Sequence, residues 1–268
     1  MKTDEAHVDK NPPDTFLPDR LITILRFFLV AALPVFLVLT GVRIVTTDLF
    51  LKVEYNRPGF PADSYGFSKA DRLHYAPYAV NYLLNNAGID YLGDLTFANG
   101  LPLYHPRELR HMEDVKTVMQ AALKIHLALT LALGVTVTLL AWKRETRWAL
   151  RWGLSAGGIF TVFLSVALVV LIFANWTFFF DGFHEIFFKG NSWQFSNSDT
   201  LIRLFPQQFW FDASMTIGFF TVLGAMVAIL GVWYWERRLA PPPNALPTAW
   251  RGGDSAEKTS SPSHEEEV

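Results

Sequence analysis

The chain has 268 residues, 51% of them hydrophobic and 15% aromatic, with a net charge of −2. Charged residues make up 18%, below the roughly 25% usual for soluble domains, and the basic ones gather into no stripe that would mark a nucleic-acid partner. The absence of cysteine excludes disulfides, thiolate metal sites and a catalytic thiol.

These numbers describe a polytopic, all-α membrane protein. Residues 1–20 are polar and proline-containing, and a disordered amino-terminal tail is expected there. The stretch at about 21–46 is long enough to cross a hydrocarbon core of about 30 Å. It exceeds the usual apolar core of a signal peptide and no small-x-small cleavage site follows it, so it reads as a retained anchor. A long polar segment, about 47–115, comes next. Within it, FSKADRLHYAPYAVNYLLNN predicts a helix, capped by Ser68 with Asp71 three residues on and ending at Asn85-Asn86-Ala87-Gly88. RELRHMEDVKTVMQAALKIH contains no breaker and should run directly into a second span, about 116–142. A third span follows at about 152–178, a second polar segment at about 181–212, and a fourth span at about 213–235. A disordered tail is expected over 236–268. The membrane domain is therefore 21–235, with four transmembrane helices and partly helical polar segments.

Orientation follows from basic residues in short loops. Lys10, Arg20 and Arg26 flank the first span, Lys143, Arg144, Arg147 and Arg151 join the second to the third, and Arg237 and Arg238 follow the fourth. Both termini are then cytoplasmic, and the two polar segments lie on the extracytoplasmic side of the cell membrane.

Among seven histidines, His7 and His264 lie in the tails, His74 in the capped helix, His105 in a loop, and His126 inside the second span as a packed helix residue. His111 and His184 differ. One just precedes the second span and the other just follows the third, so both fall at the same membrane boundary. Around His184 the stretch WTFFFDGFHEIFFKGNSW sets Asp181 and Glu185 among aromatics. An aromatic belt explains the rings but not the acids, because ionisable groups near hydrocarbon tend to face a wet cavity or a partner. If Gly182 does not break the helix, Asp181 stands three residues before His184 and is placed to orient its ring. In RHMEDVK, a pairing of Glu113 with Lys116 or Thr117 accounts for part of the charge, and Asp114 is a supporting candidate. Glu113, Gln120 and Lys124 share a helix face, with Lys124 just inside the boundary.

Two chemistries fit two histidines with nearby acids. A metal site would use His111, His184 and a carboxylate, but no HExxH or paired-histidine spacing supports it. General acid–base catalysis needs no cofactor. Ser192 lacks a nucleophile-elbow setting and reads as a turn residue. Arg203 and Arg43 are candidates for a carbonyl or phosphate, Arg43 more simply as a snorkelling cation. A site open to both acyl chains and water suits a lipid ester or a lipidated protein, with the aromatics lining an acyl pocket.

Three motifs carry a resemblance: RHMEDVK before the second span, FDGFHEIFFKGNSWQF after the third, and DTLIRLFPQQFWFDA before the fourth. Together with FSKADRLHYAPYAVNYL they resemble the bacterial lipoprotein intramolecular transacylases over about 21–235. The resemblance implies transfer of the sn-2 acyl chain of a diacylglyceryl lipoprotein to its N-terminal cysteine amine, with no cofactor. It implies His111 and His184 as the catalytic pair, and Asp181, Glu185, Arg203 and Asp114 are the supporting candidates. Partners would be the lipidated N-terminus and membrane lipid. A membrane lipid or lipoprotein esterase, metal-dependent or not, and a non-enzymatic scaffold are the alternatives.

Overall fold

The structure is a computed structural model that describes residues 17–239. The expected tails fall outside these residues except at their inner edges, where Asp19–Arg20 and Glu236–Leu239 are already helical. Four helices are long and apolar enough to cross a membrane: α1 (Asp19–Val45), α5 (Pro106–Trp142), α6 (Arg147–Ala174) and α9 (Gln207–Leu239). Shorter helices fill the connections: α2 (Asp48–Asn56), α3 (Lys69–Leu84) and α4 (Asp90–Gly93) between α1 and α5, α7 (Trp176–Phe187) and α8 (Thr200–Leu204) between α6 and α9. The described residues contain no strand beyond a single bridge, Thr96 to Pro102.

Side-chain register fixes the directions of the long helices. Arg26 and Leu29 of α1 meet Gly153 and Gly157 of α6, so those two run parallel. Gly41 of α1 faces Ile217 of α9, and Leu37 faces Gly224, so α9 runs opposite to both. His126 of α5 lies against Thr40 and Phe36 of α1, with its Nε2 3.0 Å from Thr40 Oγ1 and its ring stacked on Phe36. This mid-span histidine is thus a packed, hydrogen-bonded helix residue, as its position suggested. Helices that cannot gain from hydrophobic exclusion in lipid depend on close backbone approach. A Cβ at Gly157 would stand 3.1 Å from Leu29 O and 3.2 Å from Val30 Cα, and one at Gly158, on the face toward α9, would stand 3.1 Å from Ala225 O.

The main compact unit ends at Val232. Beyond it, the last turns of α9 place the Arg237 guanidinium 3.9 Å from the Trp233 ring centre and Arg238 against Tyr234.

The two connecting segments fold together as one lobe at the end of the bundle where α5 and α9 begin. Its core joins Leu51 and Tyr55 of α2, Ala76 and Val80 of α3, Leu92 of α4, Leu103, Met112 of α5, and Leu204, Phe205 and Phe209 from the second segment. Buried polar bonds stitch the segments: Tyr55 donates to Leu204 O at 2.8 Å, and Arg72 donates to Arg203 O at 2.8 Å and Pro61 O at 2.6 Å. Ser68 and Asp71 form the reciprocal cap anticipated for α3. Past its other end, Lys116 donates to Asn85 Oδ1 and Ala87 O and lies 3.9 Å from the Tyr82 ring centre, while the Gln120 amide donates to Asn85 O at 3.1 Å. Lys116 therefore docks α3 onto α5 in place of the anticipated pair with Glu113.

The glycine contacts generate a prediction. Gly157→Leu should force α1 and α6 apart and cost about 1–3 kcal/mol, the usual range for overpacking. Gly134→Leu on α5, where nothing lies within 4 Å, should be neutral. Thermal unfolding of the two variants in detergent separates these outcomes, and equal stability would refute the packing assignment.

Candidate active site

At roughly 55 Å by its rise per residue, α5 is much longer than the apolar span needs. Its first ten residues carry Arg107, Glu108, Arg110, Glu113 and Asp114 and project from the span into the lobe. The helix starts with His105 as N-cap, Pro106 in the first turn and Glu108 at the third position, a reciprocal cap that satisfies free N–H groups of the first turn. Glu108 has no exposed surface. One carboxylate oxygen accepts from His105 N–H at 2.7 Å, and the other from Leu201 N–H of α8 at 2.8 Å. Burial pushes its pKa up against these two bonds, which pull it down. Next to it Asp199 pairs with Arg107 and accepts from Ser196 N–H, and Thr200 donates to Leu103 O. The start of α5 is thus bolted to α8. One helical turn on, His111 is 8% exposed.

The other histidine arrives on α7. Asn175 breaks the chain out of α6 with an extended backbone and caps α7, its Oδ1 accepting from Phe178 N–H at 3.0 Å. Gly182 does not interrupt the helix, which continues through Phe187. His184 and His111 face each other with ring centroids 6.3 Å apart and planes inclined by 24°. The two rings are thus neighbours, close enough for one small substrate group to approach both.

Aromatic rings enclose the pair. Phe188 and Phe195 stand edge-on to His111 at 5.0 and 5.4 Å, and Phe180 and Trp193 lie 4.2 and 4.8 Å from His184. This apolar box desolvates both imidazoles. Burial pushes His111 down to about 4, with the neighbouring His184 adding to the shift. Burial also lowers His184, partly offset by a backbone bond to Phe180 and by the charge of Asp181. Both rings are therefore neutral at pH 7. The Phe180 carbonyl, 2.7 Å from His184 Nδ1, can only accept, so Nδ1 carries the proton and Nε2 keeps its lone pair. His111 Nδ1 is enclosed without a partner.

The orienting group for His184 is thus a main-chain carbonyl, whereas the spacing had suggested Asp181. Among the described residues Asp181 makes no hydrogen bond to the ring and acts on it through charge. With Glu185, Asn175, Thr177, Phe178 and Gly182 it lines a separate cavity of about 450 Å³. Asp114 and Arg43 are exposed. Arg203 lies in the lobe, bonded to Asp63 at 3.1 Å and Tyr65 O at 3.0 Å, its guanidinium 3.8 Å from the Phe67 ring centre. Ser192 Oγ points to Lys189 O at 3.5 Å, in keeping with a turn.

Three possible metal ligands come together among the described residues: His105, Glu108 and Asp199. Their carboxylates already serve Arg107 and three backbone N–H groups, so the cluster acts as the bolt between α5 and α8. Sequence reasoning missed Glu108, although Pro106 followed by Glu108 is a recognisable helix-start signal. It also read Phe188 and Trp193 as belt residues that line an acyl pocket and did not single out Phe195, since nothing local shows that the three surround a histidine.

The burial of the pair leads to an expected titration. By NMR of the full-length protein in micelles, the His111 imidazole should protonate near pH 4, and His184 at a lower pH than an unburied imidazole. A His111 midpoint at or above 6.5 would contradict the enclosed geometry.

The model of the family described as lipoprotein intramolecular transacylase Lit matches residues 27–210. A protein of Aquifex aeolicus described only as uncharacterized is 31% identical over 191 residues, covering 71% of this chain and 85% of that one. Among solved structures, the membrane integral lipoprotein intramolecular transacylase Lit of Bacillus cereus superposes with a TM-score of 0.67 at 18% identity, covering 83% of this chain and all of that one. The same Bacillus cereus protein with one histidine changed to arginine gives a TM-score of 0.61 at 17% identity over 83% of this chain and 96% of that one. These structures share the fold, and the family match extends through both segments of the lobe. The chain belongs to the lipoprotein intramolecular transacylase family, and is a membrane-integral enzyme of intramolecular acyl transfer.

Proposed function

We propose that the protein moves the sn-2 acyl chain of a diacylglyceryl lipoprotein to the α-amine of that lipoprotein's N-terminal cysteine, leaving an N-acyl lyso-lipoprotein. The single observation that carries the reading is the facing of His111 and His184, two neutral imidazoles in one apolar box at the end of the spans. With the positive-inside orientation, both termini are cytoplasmic and the lobe stands on the extracytoplasmic side, where lipoproteins are matured.

The reaction needs no external energy source, since an ester is exchanged for a more stable amide. Amine and ester belong to one molecule, so holding them together supplies the large effective concentration that acyl transfer requires. His184 Nε2 takes a proton from the amine as nitrogen bonds to the ester carbonyl carbon. The carbonyl electron pair moves onto oxygen, then returns as the glycerol C–O bond breaks. The proton goes to the departing glycerol oxygen, from His184 or through His111. Asp181 aids this cycle by favouring the transient imidazolium. Glu185, Asp114 and Arg203 stand further from the reacting atoms and serve to hold the site or the lipid headgroup. For the acyl chain the fold offers a cavity of about 560 Å³ lined by Ile172, Phe173, Trp176, Pro206 and Phe211. The Trp176 ring on its wall lies 5.6 Å from Phe180, which lies 4.2 Å from His184.

The test is mass spectrometry of the N-terminal lipopeptide of a reporter lipoprotein, made in bacteria lacking N-acylation. Wild-type protein should give the N-acylated, lyso-glyceryl cysteine. His184→Ala and His111→Ala should insert normally and lower its yield by about 10²–10⁴-fold, the usual weight of a general acid or base. Full transfer by both variants would sink the assignment. Release of free fatty acid in place of the amide would show a hydrolase.

A further inference from the structure

The site holds an N–H group that neither the packing nor the proton transfers use. Trp193 Nε1 is enclosed and has no hydrogen-bond partner. Its ring lies 4.8 Å from His184 and 6.2 Å from Phe180. An indole nitrogen can only donate, and a buried donor left without an acceptor is rare enough in native proteins to need a reason. A belt tryptophan resolves this by turning its N–H toward water or headgroups. Trp193 keeps its N–H covered among the rings around His184.

Acyl transfer produces a requirement that this group meets. When the amine nitrogen bonds to the ester carbonyl carbon, the carbonyl oxygen acquires a full negative charge until the glycerol C–O bond breaks. A donor fixed in advance in a site without water stabilises that charge, often as the largest single contribution to the rate. The cationic candidate, Arg203, is engaged by Asp63, Tyr65 O and the face of Phe67. Lys189 and Gln194 are exposed, and Ser192 directs its hydroxyl to Lys189 O. The histidines have the proton to move.

We propose that Trp193 is a catalytic residue whose indole N–H donates to the oxyanion formed from the substrate's ester carbonyl, beside the His184 base. The assignment rests on the transacylase reading above. Trp193 sits in the loop between α7 and α8, which is held at one end by buried Phe188 and at the other by Asp199 and its bonds to Ser196 and Arg107. Gly190, with φ of +63°, turns the chain so that Trp193 folds back over α7. The carbonyl oxygen approaches the N–H edge of the indole, beside His184. The shielded N–H then meets the oxygen without competition from water.

The experiment uses the full chain in proteoliposomes with a synthetic diacylglyceryl-cysteinyl peptide, and measures kcat and KM for N-acyl formation. Trp193→Phe keeps an aromatic ring and removes the N–H. It should lower kcat by about 10²-fold, the loss expected of one oxyanion donor, and leave KM unchanged. A second substrate, with sulfur in place of the sn-2 carbonyl oxygen, accepts hydrogen bonds poorly. It should react more slowly than the oxygen ester with wild-type protein, and the sulfur penalty should largely vanish in Trp193→Phe. If that variant fails to fold, the benzothienyl analogue of tryptophan placed at position 193 preserves the shape without the N–H and takes its place. Wild-type kcat in the variant, or an equal sulfur penalty in both proteins, overturns the assignment while leaving the transacylase reading intact. A wild-type protein that transfers nothing from this peptide overturns both.

Discussion

A carboxylate with no contact with solvent holds the lobe end of this protein in place. Glu108 accepts from the N–H of His105 on its own helix and of Leu201 on α8, 93 residues away in the chain. Two charge-assisted bonds of this kind are strong in a medium from which water is excluded. Removing one partner would leave a buried polar group unpaired, which is costly. The first turn of α5 is thereby fixed relative to the second segment of the lobe, and His111, one turn later, inherits that fixed position. The Arg107–Asp199 pair and the Thr200–Leu103 bond lie beside the bolt and tie down the same junction.

The second constraint bears on the two histidines, whose pKa values are both lowered. Burial favours the uncharged ring, and the aromatic box supplies burial without supplying a counter-charge. The Phe180 carbonyl then selects one tautomer of His184 and leaves Nε2 free. A buried carboxylate bonded to Nδ1 would have raised the pKa further. The structure instead keeps Asp181 at the level of a charge, which offsets the effect of burial only in part. The same low dielectric that disfavours resting charge strengthens every hydrogen bond made to a charge that develops during reaction.

The bundle beneath the lobe is built by a different rule. Lipid offers α1, α6 and α9 no reward for hiding apolar side chains, so glycines bring their backbones into contact. α6 ends at Ala174, and Asn175 then turns the chain into α7.

Much of this was legible in the amino-acid sequence because it is local. Span number follows from runs of apolar residues. The α3 cap follows from Ser68 and Asp71, the unbroken start of α5 from the absence of breakers, and the position of both histidines at one boundary from counting residues along alternating spans. Family motifs supplied the reaction class. What only the tertiary structure decided are relations between residues far apart in the chain. Glu108 reaches Leu201, Lys116 turns to Asn85 and Ala87 in place of Glu113, Arg203 is held by Asp63, and Trp193 lies against His184 with its N–H unpaired. Periodicity and capping rules describe a helix against an anonymous surface. They carry no record of which ring or carbonyl forms that surface, and the protonation of His184 depends on that identity.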